Sequence, residues 1–468
     1  MSKNSKSHDP AAQDPELSDD ALFQKDADRV YDEMLARIGE ANPQPRLAPT
    51  RRVVELLGDP QRSYPIIHVT GTNGKTSTSR IAESILRAYG LRTGLLTSPH
   101  LVRVNERIVI DGEPISNEAF VINYRDIQPY LRMVDAELEA AGELPLTFFE
   151  AFTALAFASF ADAPVDVAVI EVGLGGEWDS TNVGDGQIAV FTPISLDHTA
   201  RLGNTVAQIA ATKAGIIKPA SSVVTALQPA TALAELERAS ELMESTIAVQ
   251  GVAFELLSNT VAVGGQVVSV RGLAGTYNDL FLPLFGDHQA QNATVAIAAV
   301  ESFLGGGDQP LVGDVLAEGL ATASSPGRLQ VIGIEPTVIV DAAHNPDGAA
   351  SLAKAIGSYF TFDEVAIVIG VLAEKDARGI IGALLPVAAR FHVTASSSDR
   401  AVPVDELEKI VLEVANEVAS YPFDSLQEAV ATARDWASDA PRRGVVITGS
   451  ITLIGDALVL AEREGWKR

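Results

Sequence analysis

The residues best suited to chemistry stand close together in the run His68-Val69-Thr70-Gly71-Thr72-Asn73-Gly74-Lys75-Thr76. Apolar Ile66 to Val69 reads as a strand, a Gly-rich turn follows, and a helical pattern runs from Ser77 to Tyr89. Glycines let backbone N–H groups approach an anion, and the helix start adds partial positive charge. A lysine and a threonine at this point can reach the β/γ-phosphates and a Mg²⁺ ion. The plain alternative is a turn with a surface lysine; GK[ST] between strand and helix argues against it. The commonest spacing has a further Gly where Val69 stands, so this is a variant loop.

Other candidates are scattered. Apolar Val165–Ile170 ends in Glu171, which puts a carboxylate at the carboxyl end of a core strand, where parallel sheets hold ligands. Thr76, Ser98 and Glu171 offer hard oxygen donors to a cation bridging phosphates. Taken alone, Ser98 before Pro99 reads as a turn residue, His198 as a structural histidine and Lys213 as a solvated helix lysine. Asn292 reads as a polar residue on a surface helix, and Phe148 and Phe149 as core. Arg328 suits bidentate contact with phosphate or a salt bridge in a linker.

The elements that must position these residues alternate. Helices are expected over Ala27–Ile38 and Arg51–Leu57. Strands at Ile66–Val69, Val165–Val172 and Ile188–Phe191, with helix-like stretches between, predict a doubly wound, mainly parallel α/β sheet. Val252–Leu284, Val-rich and broken by glycines, predicts β-hairpins in a small added sheet. A helix over Ala290–Leu304 follows, and Ala321–Arg328 has a linker's composition. A fresh α/β pattern then begins: strands Val338–Val340, Val365–Val371, Phe391–Thr394 and Val445–Thr448, and helices Gly348–Tyr359, Val404–Val418 and Asp424–Trp436. The expected layout is a disordered acidic tail (1–24), a P-loop-type ATPase domain (25–320), a linker (321–327) and a smaller Rossmann-like domain (328–468).

The variant loop GTNGKT resembles the Mur-ligase superfamily of ATP-dependent amide-bond ligases. Further segments resemble its folylpolyglutamate synthase/dihydrofolate synthase family. They include Thr97-Ser98-Pro99-His100, Glu171-Val172-Gly173-Leu174-Gly175-Gly176, Asp179-Ser180-Thr181-Asn182, Asp197-His198-Thr199, Lys213-Ala214-Gly215, Pro326-Gly327-Arg328 and Asp341-Ala342-Ala343-His344-Asn345-Pro346. The likeness runs from about Arg51 to the C-terminus in the family's order.

The resemblance implies the following. Thr72, Asn73, Gly74, Lys75, Thr76, Asn292, Arg328 and Asp341 bind ATP. Thr76, Ser98, Glu171 and His198 hold two Mg²⁺ ions, His198 sharing the second with Glu171, and Lys213 is carbamylated. Phe149, Trp178 and Asp179 lie near the pterin, and His344 and Ser450 hold the incoming glutamate. Lys75, Lys213, His198 and Glu171 carry the chemistry. ATP would phosphorylate the carboxylate of dihydropteroate or a folate, and the amine of L-glutamate would displace phosphate. A bifunctional, cytoplasmic monomer is the expectation. A Mur-type UDP-sugar peptide ligase is the alternative, but Lys75 comes too early for a preceding UDP-binding domain. A non-catalytic nucleotide switch would not need Glu171, His198, Lys213 and His344 together.

Composition bounds these readings. The 468 residues fit two to three domains, 47 % are hydrophobic, and the net charge is −26. That balance argues against nucleic acid or anionic membrane as partner. The absence of cysteine removes disulfides, thiolate metal sites and thiol nucleophiles. No signal-like segment is visible, and the longest apolar run, Ala151–Ala161, is too short to span a bilayer. The charge is unevenly spread. Tyr64–Ile110 has six Lys and Arg against two acids, and Arg201–Lys218 has three cations and no acid. Asp111–Glu143 has eight acids against two arginines. Anions are therefore expected at the basic island around Lys75.

Overall fold

The computed structural model describes residues 19–39 and 42–466. Its largest sheet holds β1 (Ile66–Thr70), β2 (Thr93–Leu96), β3 (Ile108–Ile110), β4 (Glu113–Pro114), β5 (Val167–Glu171), β6 (Gly186–Phe191), β7 (Ser222–Thr225) and β8 (Thr246–Val249). The spatial order is 4-3-2-5-1-6-7-8. Strands β2, β5, β1, β6, β7 and β8 run parallel, and β3 and β4 form an antiparallel edge. Strands β1 and β5 are buried along their whole length, because helices cover both faces. Side chains alternate between the faces. Val69 and Val169 meet the helices Lys75–Ala88 and Asp287–Gly305, while Ile66 and Ile170 meet Asn117–Ala140 and Phe148–Asp162.

Strands β9 (Glu255–Ala262), β10 (Gly265–Arg271) and β11 (Thr276–Leu282) form the expected antiparallel sheet, whose Val268, Val270 and Leu282 join the same core as Val69. A third sheet holds β12 (Gln330–Ile334), β13 (Thr337–Asp341), β14 (Glu364–Ile369), β15 (Ala388–Val393), β16 (Ala419–Pro422) and β17 (Arg443–Thr448) in the order 12-13-17-14-15-16. All its neighbours are parallel except β12 with β13. The halves touch closely. Gly455, in the helix Ile451–Arg463, packs so tightly on the Leu101 carbonyl that no Cβ would fit. Gly327 rests on the Leu101 side chain.

Several expectations shift. Residues 1–18 of the expected tail lie outside the described residues, but Asp19–Leu22 is helical. There Asp20 Oδ1 accepts from Asn117 N at 2.5 Å, a carboxylate against a helix start. The helix expected at Ala27–Ile38 runs Gln24–Leu35, and that at Arg51–Leu57 runs Ala48–Leu56 with Pro49 in its first turn. The helix expected over Val404–Val418 stops at Val414, where the chain turns to feed β16. No described helix is long and apolar enough to cross a membrane.

Candidate active site

A cavity of about 670 Å³ opens at the carboxyl ends of β1, β5 and β6 and is closed over by loops of the third sheet. Its lining includes the phosphate loop, Ser98, Glu171, Phe149, Trp178, Lys213, Asn292, Arg328, His344 and Ser450. The topology therefore brings to one place residues that the sequence scatters over almost 400 positions.

The loop after β1 is shaped by two glycines. Gly74 has φ 90° and caps the helix Lys75–Ala88; a Cβ there would stand 2.5 Å from Asn292 Oδ1. That close approach defines the place of Asn292, which is buried and donates to Gln289 Oε1 at 3.2 Å. The surface reading of Asn292 is thereby overturned. Lys75 Nζ curls back onto the carbonyls of Gly71 (3.3 Å) and Thr72 (3.1 Å). Lys213, on the helix Val206–Ala214, also donates to Gly71 O, at 2.7 Å. Lys213 is buried, not solvated. Burial, reinforced by the charge on Lys75, pulls its amine down to about 7. Lys75 is lowered as well, chiefly by burial, although Glu171 and Asp197 oppose the shift.

Glu171 ends β5 as expected and is buried. Its oxygens accept from Thr76 Oγ1 at 2.9 and 3.0 Å, and Ser98 N lies 3.4 Å from Oε2. Burial raises its pKa, and Lys75 partly offsets that. This cluster of Thr76, Ser98 and Glu171 fits a hard divalent cation that keeps waters and takes substrate oxygens as further ligands. The second ion is another matter. Among the described residues no three His, Asp or Glu side chains gather as a metal cage. His198 faces Asp197, with Nε2 3.9 Å from Oδ2. His198 has φ 50° at the start of the short helix Thr199–Leu202, its side chain is 42 % exposed, and partial desolvation together with the charge on Lys375 lowers its pKa.

Two candidate carboxylates are occupied by backbone. Asp179 accepts from Thr181 N (3.0 Å), Thr181 Oγ1 (2.5 Å) and Leu174 N (2.8 Å). It holds the loop 173–176 beneath Phe149 and Trp178 and itself lines the cavity. Asp341 likewise accepts from Leu329 N (2.7 Å) and Ala343 N (2.9 Å), fixing the turn that carries Arg328. Burial raises both carboxyls. The aromatic pair divides: Phe148 is core, stacked on Phe152, whereas Phe149 reaches the cavity.

Across the cavity, His344 Nδ1 lies 2.9 Å from Ala342 O. A carbonyl can only accept, so the proton sits on Nδ1 and Nε2 keeps a free lone pair, 3.9 Å from Asp197 Oδ2. Burial lowers the ring's pKa to about 3, so the imidazole is neutral. Ser450 is buried and caps the helix Ile451–Arg463 by accepting from Leu453 N at 3.2 Å. Lys375, which lines the cavity, and Asn345, the buried neighbour of His344, are residues to which sequence reasoning gave no role. Lys375 Nζ donates to Asp197 Oδ1 at 3.1 Å. Its signal was its place in the loop after β14, at the carboxyl edge of a parallel strand.

Known proteins share this fold. Residues 131–300 match the Mur ligase middle domain and residues 327–451 the Mur ligase glutamate ligase domain. The dihydrofolate synthase/folylpolyglutamate synthase of Mycobacterium tuberculosis is 43 % identical over 441 residues, 90 % of this chain and 91 % of that protein. This chain belongs to the dihydrofolate synthase/folylpolyglutamate synthase family. A solved structure of Mycobacterium tuberculosis folylpolyglutamate synthase complexed with ADP superposes with a TM-score of 0.89 at 41 % identity, covering 95 % of this chain and 99 % of that one. Escherichia coli FolC in complex with DHPP and ADP gives 0.80 at 28 % identity, covering 93 % and 98 %. The family's fold thus spans both halves of the chain and the cavity between them.

Proposed function

We propose that the chain joins L-glutamate to the carboxylate of dihydropteroate and of reduced folates, using ATP and passing through an acyl phosphate. The observation that carries this reading is the convergence of Lys75, Lys213, Thr76 and Glu171 at one wall of a cavity whose other walls hold Phe149 and Trp178, and His344 and Ser450. In the first step a carboxylate oxygen attacks the γ-phosphorus and ADP leaves. The amine of glutamate then attacks the acyl carbon, loses a proton, and phosphate departs as the amide forms.

The roles follow from position. Backbone N–H groups of 72–76 and the helix start receive phosphate oxygens, and Lys75 leaves its carbonyl partners for them. Arg328 meets the phosphates from the other half, and Asn292, packed under Gly74, borders the adenine. Thr76, Glu171 and the Ser98 loop would hold Mg²⁺, which when bound would supply Lewis-acid neutralisation of phosphoryl charge. A neutral buried amine is the form of lysine that reacts with CO₂, so the depressed Lys213 supports its carbamylation. Phe149 and Trp178 offer flat faces to a pterin, and His344 and Ser450 receive the glutamate. Closure of the two halves keeps water from the acyl phosphate. The functional units are residues 25–320 and 328–468, joined by 321–327. All these groups lie on one chain, which supports a monomeric enzyme.

The test is ADP release with labelled glutamate, comparing dihydropteroate with tetrahydrofolate as acceptor. Glutamate-dependent turnover with both is expected. Turnover with neither would refute the reading, and turnover with one alone would refute bifunctionality.

A further inference from the structure

The phosphate loop touches the second half of the chain directly, side chain to side chain. Asn73 Nδ2 donates to Asn345 Oδ1 at 3.3 Å, and Asn345 Nδ2 donates back to Asn73 Oδ1 at 3.0 Å. Asn345 Nδ2 also lies 3.4 Å from Asp197 Oδ2, and Asp197 is gripped in turn by Lys375. The Asp197 turn is tied to the phosphate loop as well: Ser195 N donates to Thr72 Oγ1 at 3.0 Å, and Thr72 Oγ1 lies 3.1 Å from Ser195 O. Three loops, two from the first half and one from the second, therefore meet around one amide pair.

That pair has properties a chance contact would lack. Asn345 is buried, and its Oδ1 also accepts from Gly348 N at 2.8 Å, so its rotamer is locked by the helix Pro346–Tyr359 that it caps. Two primary amides bond reciprocally only when both N···O distances are short at once, which confines the relative placement of their backbones. One partner sits in the loop whose N–H groups face the phosphates, and the other is the immediate neighbour of His344. Asn73 cannot move with the phosphate loop without dragging Asn345 or breaking the pair.

We propose that Asn345 is a positioning residue which, through Asn73, couples nucleotide in the phosphate loop to the placement of His344 and so of the amine substrate. The inference rests on the preceding reading for what binds on each side. It gives the loop's asparagine a task that phosphate binding alone does not require.

Asn345→Ser is the informative variant, because serine keeps the helix cap but is too short to reach Asn73. Two readouts are needed. The first is hydrogen exchange of the amides at 346–350 with and without a β,γ-methylene analogue of ATP, which needs no turnover. The wild-type protein should gain tenfold or more protection on adding the analogue, and Asn345→Ser and Asn73→Ser less than twofold. The second is steady-state kinetics. Asn345→Ser should raise the KM for L-glutamate tenfold or more while the KM for ATP and the affinity for ADP stay within threefold. The double variant Asn73→Ser/Asn345→Ser should have no higher KM for glutamate than Asn345→Ser alone.

Nucleotide-dependent protection that survives in Asn345→Ser, together with an unchanged KM for glutamate, would overturn the proposal. A lowered unfolding midpoint with both KM values intact would also overturn it, as would losses that multiply in the double variant. Should the wild-type protein show no glutamate-dependent turnover while its exchange response still requires Asn345, the ligase reading fails and the coupling stands.

Discussion

Replacing Lys213 by methionine should make the protein more stable at pH 7 and inactive. Methionine fills nearly the same volume without a charge. Burial holds the Lys213 amine at about 7, against 10.5 for an ordinary lysine. The unfolded chain therefore binds more protons than the folded one between pH 7 and 10.5, and stability rises with pH across that window. Taking 1.4 kcal/mol per tenfold change, Lys213 lowers stability by roughly 4 kcal/mol at pH 7 and by about 1.5 kcal/mol at pH 9.5. Methionine relieves that, but gives up the hydrogen bond to Gly71 O, worth about 1 kcal/mol. The carbonyl is not orphaned, because Lys75 remains 3.3 Å away. The net gain is about 3 kcal/mol at pH 7, shrinking to near zero at pH 9.5. Urea unfolding of both proteins in CO₂-free buffer at the two pH values measures it, since a carbamate would trap the neutral amine and blur the comparison. Equal stability at pH 7, or a gap that ignores pH, would refute the reasoning. Lys213→Ala, which leaves space, should regain part of its activity with acetate.

Lys75→Ala should lower turnover by a factor of roughly 10²–10³ or more while far-UV circular dichroism and the unfolding midpoint stay close to wild type, since the amine bonds only to its own loop. Gly74→Ala meets both a left-handed backbone and the Asn292 amide; urea unfolding should show a loss of about 1–3 kcal/mol, and calorimetry a weaker affinity for ADP. Phe149→Ala should raise the KM for dihydropteroate about fivefold through a lost ring contact of about 1 kcal/mol and leave the KM for ATP unmoved.

The phosphate loop was legible in the sequence because its parts are contiguous: a strand, a Gly-rich turn and a helix between Ile66 and Ala88. Glu171 was legible because an apolar run ends on a carboxylate. What was hidden had two causes. Some signals were cancelled by burial. Helix Phe148–Asp162 is covered on nearly every side and shows no apolar stripe, and Pro129 interrupts the pattern of Asn117–Ala140. Strand β16 is short, lies at a sheet edge and ends in Pro422, so propensity marks it poorly. Other features exist only in three dimensions. Asn73 and Asn345 are 272 residues apart, and Lys375 and Asp197 are 178 apart. No spacing rule links such pairs. Asp179 and Asp341 both line the cavity, but the backbone N–H groups that donate to them are invisible in a string of letters.

The seat of Leu101 on Gly455 has a consequence for recombination. The loop bearing Ser98 leans on a helix near the opposite end of the chain, with Gly327 wedged beside it. A chimera spliced between two relatives at 321–327 would join a donor's segment around Leu101 to a recipient's glycine pocket. Such hybrids should succeed when both parents keep glycine at 455 and fail when one parent carries any side chain there, however similar the remaining sequence. The halves are thus inherited as a matched set, and the seam that looks most permissive in the sequence is a poor place to cut.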